Sequence, residues 1–235
     1  MATSQTRAEA PTAGVHRGLV RWYYGALSVL LLATLIAQCA LTVSQGRSLV
    51  NTFSYFTVQS NVLVLITSAI LAIDPSVHGA WWRVLRTAAL AGITVTGVVF
   101  ATVLARTSTV TGIGVLYSVV FHYIVPTATI VGFVFIGPRL QLRMADLAFM
   151  VWPILWIVYT LIRGALVGPE FTSFSHGTSH YPYGFLDVDN SPLPIVVMSV
   201  VAVALALLGV GLAFIKGDQA LTRRDSQQHP ITPGH

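Results

Sequence analysis

The sequence predicts an all-α, integral membrane six-helix bundle with both termini in the cytoplasm. Three observations predict it. Charged residues make up only 9% of 235 positions, hydrophobic residues make up 54%, and mean hydropathy is +0.74. Six apolar runs reach roughly 20 residues, the length a helix rising ~1.5 Å per residue needs to cross ~30 Å of hydrocarbon. The basic residues fall mainly in alternate connections between those runs. A soluble domain carries about 25% charge to cover its surface, so a soluble globule is excluded, and so is a disordered chain. Cys39 is the single cysteine, which excludes an intrachain disulfide.

The runs lie at about 22–43, 54–73, 86–105, 114–136, 146–167 and 193–215. The first follows a polar N-terminal tail, 1–21, expected to be flexible. It opens on Trp22, Tyr23 and Tyr24, an aromatic trio suited to a membrane interface. The run is too long for the apolar core of a cleaved signal peptide, so it reads as a retained span. The second begins with a polar stripe: Thr57, Ser60 and Asn61 stand at i, i+3 and i+4 on one helical face, continued by Val64 and Ser68, with Gln59 directed elsewhere. The fourth holds His122, the one histidine well inside a span, with Pro126 four residues on. Proline lacks the amide hydrogen that would bond the His122 carbonyl, so a freed carbonyl and a bend are expected there. The fifth contains Pro153 and, near its end, Arg163. The sixth leads into a polar C-terminal tail, 216–235, expected to be disordered. No internal repeat and no soluble domain is visible.

Net charge is +5. Ten of the 13 basic residues lie in the two tails, in the connections 74–85 and 137–145, or, for Arg86, at the first position of the third run beside the former: Arg7, Arg17, Arg21, Arg83, Arg86, Arg139, Arg143, Lys216, Arg223 and Arg224. Arg47, Arg106 and Arg163 lie on the other side. By the positive-inside rule both termini face the cytoplasm. The charges do not form one stripe interleaved with aromatics, so membrane lipids are the expected partners and nucleic acid is not. The outer connections are 44–53, 106–113 and 168–192. The last is long and carries four aromatic residues between Phe174 and Phe185, which suits a structured loop better than a linker.

Polar residues within hydrocarbon face the bundle interior, where they serve either packing or chemistry. Ser60 and Asn61 suit either interhelical packing or substrate contact, and His122 suits either a neutral hydrogen bond or catalysis. Thr57, His122 and Arg163 all fall in the outer half of the bundle. A threonine hydroxyl needs a base to act as a nucleophile, and imidazole suits that role. Asn61, Gln59 or Arg163 are candidate donors to a tetrahedral intermediate. Such a pair in a membrane implies a lipid ester as substrate. Haem ligation would need paired axial histidines from facing spans, and proton or ion transport usually uses mid-span carboxylates; neither is present. His176 and His180, with Asp187 and Asp189, offer metal-type groups without zinc-type spacing, so no metal is expected. No cofactor is expected: Gly-rich phosphate loops and the Gly-x-Ser-x-Gly and His-Glu-x-x-His motifs are absent. A transporter built around the polar stripe and the Pro126 and Pro153 breaks, or a scaffold membrane protein, remains an alternative.

Three segments carry a resemblance: Phe56-Thr57-Val58-Gln59-Ser60-Asn61, His122-Tyr-Ile-Val-Pro126, and Tyr181-Pro-Tyr-Gly-Phe-Leu-Asp187. Together, over roughly 20–215, they resemble a bacterial family of predicted six-transmembrane proteins. More distantly, the pattern is similar to the eukaryotic androgen-induced (AIG-like) membrane threonine hydrolases, which cleave fatty acid esters of hydroxy fatty acids. The resemblance implies Thr57 as nucleophile and His122 as base, with Tyr183 and Asp187 in the aromatic stretch near substrate. This chain departs from that pattern in a histidine-to-proline interval one residue shorter. It also has Gln-Ser-Asn where those proteins have an Ile-Asp pattern.

Overall fold

The computed structural model describes residues 11–107, 110–173 and 177–228. Among the described residues, six helices are long and apolar enough to cross a membrane: Arg17–Ser44, Phe56–Ile73, Ala80–Leu104, Ile113–Ile136, Met144–Val167 and Leu193–Asp225. They are called here the first to sixth spans. The chain is therefore a multi-pass helical protein, as its apolar runs require. The one departure from an all-α fold among the described residues is a short antiparallel hairpin, β1 Phe171–Ser173 and β2 Gly177–Ser179.

Side chains explain the bundle's solvent. Val29, Ile36, Phe135, Leu155, Leu166 and Met198 stand outward and exposed. An apolar exterior on this scale suits hydrocarbon, not water. The first four spans pack around Leu31, Val64, Leu71, Ile93 and Val125. A second core gathers Phe56, Val95, Trp156, Tyr181, Tyr183, Leu186 and Leu207, and pulls the 168–192 connection down over the second, third, fifth and sixth spans.

The connections meet at two ends. At one, the loop end, Asn51 donates to the Glu170 carbonyl at 2.7 Å. At the other, the tail end, Arg21 reaches the Ile73 carbonyl at 3.3 Å and Arg139 pairs with Asp225 at 2.8 Å.

Several sequence expectations need correction. The C-terminal tail 216–235 is not disordered over its described part: the last helix continues to Gln228. Asp218 explains this, since its buried carboxylate accepts the Leu140 and Leu142 backbone N–H groups at 2.9 and 2.7 Å. Gln219 adds a bond to the Leu142 carbonyl at 3.1 Å. The N-terminal tail 1–21 is helical from Pro11. Residues 1–10 and 229–235 lie outside the described residues. Of the aromatic trio only Trp22 faces outward. Tyr23 donates to the Ala128 carbonyl at 2.7 Å, and Tyr24 is buried beneath Arg86. The third span starts at Ala80, so Arg83 and Arg86 are helical residues, not loop charges. Arg83 pairs with buried Asp146 at 3.0 Å, and Arg86 is fully buried against the hydroxyls of Thr67 and Tyr24.

Candidate active site at the loop end

Chain punctuation places Thr57. The short helix Leu49–Ser54 is capped by Ser48, whose hydroxyl accepts the Asn51 N–H at 3.3 Å. Tyr55 then adopts an extended conformation, and the second span starts afresh at Phe56. Thr57 thus lies in a first helical turn, where backbone N–H groups have no partner within the helix. Its N–H donates instead to the Tyr183 hydroxyl oxygen at 3.2 Å. The same phenol stands 3.2 Å from Thr57 Oγ1. Because the phenol oxygen accepts the backbone N–H, its own proton is available to Thr57 Oγ1 or to a ligand that displaces it.

His122 comes from a distorted stretch of the fourth span. Residues Val120–Ile124 form a π turn, with the Val125 N–H bonded to the Val120 carbonyl. Pro126 follows at once. The carbonyl expected to be freed at His122 packs against the third span at Gly97. A Cβ there would lie 3.1 Å from that carbonyl and 3.0 Å from Pro126. The Phe121 carbonyl receives the Asn61 amide at 3.4 Å. The imidazole stacks on Phe100 with centroids 3.7 Å apart. Its Nδ1 lies 2.8 Å from the Ser118 carbonyl, which can only accept, so Nδ1 carries the proton. Nε2 therefore presents a lone pair, 3.4 Å from Thr57 Oγ1. The second and fourth spans thus bring together a hydroxyl and an unprotonated imidazole nitrogen, in the tautomer a general base needs.

The chain of donors runs one way. His122 Nδ1–H points to the Ser118 carbonyl, Thr57 O–H points to Nε2, and Tyr183 O–H points to Thr57 Oγ1. Burial pushes the Tyr183 hydroxyl above its ordinary pKa, although bonds from Thr57 pull it back in part. The phenol is a neutral donor at physiological pH.

The other expected site residues go elsewhere. Arg163 does not reach Thr57: its guanidinium binds Asn51 Oδ1 at 2.6 Å and Ser54 at 3.4 Å, and lies over Phe171. Gln59 is consumed by the Phe53 carbonyl and the Trp152 indole N–H. Asn61 donates to the Thr57 carbonyl at 2.8 Å, and its Oδ1 is buried without a partner. Ser60 bonds Thr96 across the second and third spans at 3.0 Å, a packing contact. Asp187 caps its own turn, accepting from the backbone N–H groups of Asp189 and Asn190 and from the Asn190 side chain. Arg163, Gln59 and Asn61 are the candidate donors nearest in sequence depth, yet each has a closer structural partner. His176 lies outside the described residues, and His180 pairs with Asp189 at 2.9 Å. The sequence stripe gave no hint of Ser118 or Phe100, which fix the imidazole. An i−4 serine carbonyl is common to any helix, and its use is visible only once the π turn is known.

Two cavities meet at Thr57. One, of about 370 Å³, has a mixed lining: Gln38, Gln45, Arg47, Thr52, His122 and Ser118 give it the more polar character of the two, beside apolar residues such as Leu41, Val58 and Phe121. The other, of about 170 Å³, is lined almost wholly by apolar side chains of the third, fifth and sixth spans. Thr57 and Tyr183 border both; His122 borders only the first. Against known proteins, the chain matches no family model, no curated protein and no solved structure.

Proposed function

We propose that the protein is an intramembrane hydrolase of a lipid ester, with Thr57 as nucleophile and His122 as general base. The observation that carries this reading is the Thr57–His122 pair, with the imidazole tautomer set by the Ser118 carbonyl. A separation of 3.4 Å is long for a formed hydrogen bond, but such contacts commonly tighten when substrate binds. The resemblance to the androgen-induced threonine hydrolases points the same way. In this reading both termini face the cytoplasm and the loop end faces out, on the strength of the arginine distribution.

The steps balance as follows. Thr57 Oγ1 attacks the ester carbonyl carbon and passes its proton to His122 Nε2. The carbonyl oxygen becomes an oxyanion, held by the Tyr183 hydroxyl and the Thr57 N–H, the two donors at the reacting atom. The intermediate collapses, the carbon–alkoxide bond breaks, and His122 returns the proton to the leaving alcohol. Water, deprotonated by His122, then attacks the acyl-threonine, releasing the acid and restoring both groups.

The test is turnover of lipophilic esters by the purified full chain. The wild type hydrolyses them; Thr57→Ala and His122→Ala each abolish turnover while thermal unfolding in detergent stays cooperative. Full activity in either variant would contradict the assignment. Substrate flux in proteoliposomes with no ester cleavage would favour a transporter instead.

A further inference from the structure

The two cavities differ in which catalytic group they expose, and that difference orients the substrate. We infer that the apolar cavity between the third, fifth and sixth spans is the acyl-chain subsite, and that the polar cavity holds the leaving alcohol. The inference rests on the hydrolase reading of Thr57 and His122 and deepens it.

The argument is about where a proton must go. When the tetrahedral intermediate collapses, the alkoxide oxygen takes its proton from His122 Nε2. A general acid works only within hydrogen-bond reach of the leaving oxygen. His122 lines the polar cavity and does not line the apolar one. The alcohol must therefore lie on the His122 side of Thr57. The acyl substituent, on the other side of the carbonyl carbon, is left with the cavity that Thr57 and Tyr183 share with Val99, Ile154, Val203 and Leu207. The oxyanion donors Tyr183 and the Thr57 N–H sit on the border between the two, where a carbonyl oxygen would be.

Size and lining then define the class of substrate. An engineered apolar cavity of about 150 Å³ takes a benzene-sized group. The apolar cavity here, at about 170 Å³, encloses a comparable length of chain. Ile154, one of its lining residues, is 53% exposed on the bundle surface, which puts the cavity next to the exterior. A longer chain extends from there into hydrocarbon. On the opposite side the lining is mixed, and Gln38, Gln45 and Arg47 there present polar groups that an alkyl chain cannot satisfy. The substrate class is thus an apolar acyl chain esterified to a polar alcohol.

An isomeric pair tests this without changing overall hydrophobicity. Ethyl octanoate and octyl acetate have the same atoms, but place the long chain on the acyl and alcohol sides respectively. The wild-type full chain in detergent is expected to show kcat/KM about tenfold or more higher for ethyl octanoate, since several methylenes enter the almost wholly apolar cavity only in that isomer. Filling the subsite by Ala204→Phe, and separately by Val200→Trp, is expected to collapse the ratio of the two toward one. The ratio within each protein is read, so a general loss of activity does not mimic the effect. Equal rates in the wild type, or a preference for octyl acetate, would overturn the inference while leaving the hydrolase reading intact. A ratio unchanged in both filled variants would also overturn it. Cleavage of neither ester, with no covalent labelling of Thr57, would sink the hydrolase reading itself.

Discussion

Thr57 and His122 were legible because a hydroxyl and an imidazole inside apolar runs are conspicuous in lipid, where each needs a partner. Tyr183 came from the resemblance, and its contact with both the amide and the hydroxyl of Thr57 needed the folded loop. In the proposed hydrolase, Tyr183→Phe deletes a single donor at the reacting centre. It is expected to lower kcat by about 10²–10³-fold, the usual loss for one oxyanion donor, with the unfolding midpoint little changed. Stopped assays on one ester before and after the change check this. Arg163 shows why sequence depth alone misassigns roles. It lies at the right level, yet Asn51, 112 positions away, claims it.

At the scale of elements, the third and fourth spans are held together through Gly97, which sits against Pro126 and the His122 carbonyl. A methyl group there must push the fourth span, and His122 with it, by a few tenths of an ångström. Gly97→Ala is expected to cost about 1–3 kcal/mol, the usual range for overpacking, and to lower turnover more than a surface substitution does. Denaturation in detergent and ester turnover, measured together, check it. The 168–192 connection is seated by Tyr181, whose ring lies where a Cβ on Gly164 would stand. It is also held by the Asp187 turn. Burial pushes the Asp187 carboxyl up, but bonds from Asn190, Ser179 and the Asp189 backbone outweigh burial and hold its pKa below the ordinary value. A lowered carboxylate pKa stabilises the fold fully above the unfolded value, about 3.9. That contribution is lost as pH falls through the lower folded value. Amide protection in 184–190, taken relative to the intrinsic exchange rate at each pH, is therefore expected to hold down to about pH 4 and to fall below it, whereas in Asp187→Ala it is low at every pH. The loop's presence was readable from its aromatics; its seat on Gly164 was not, because a glycine in an apolar run gives no sign of what approaches it.

At the scale of the molecule, hydropathy alone gave the six helices, because crossing hydrocarbon demands length and apolarity whatever the packing. The ends were misjudged where polar residues continue a helix by docking on protein. Asp218 and Asp225 look like tail charges in sequence, yet they hold the 137–143 connection against the sixth span. Asp218→Ala leaves two backbone N–H groups without acceptors and is expected to destabilise the protein by about 2–4 kcal/mol. This would be read as an earlier unfolding midpoint in detergent, and turnover at low temperature should survive because the site lies at the other end. Arg86, counted among loop charges by position, is buried with hydroxyl partners. The positive-inside reading keeps its asymmetry without it.

The central claim is that the Thr57 hydroxyl is made nucleophilic by His122. Its most direct measurement is mass spectrometry of the full chain after reaction with an alkyl fluorophosphonate. The account predicts one adduct per chain, on Thr57, formed far more slowly in His122→Ala. No adduct at Thr57, or labelling equally fast without the imidazole, would contradict it.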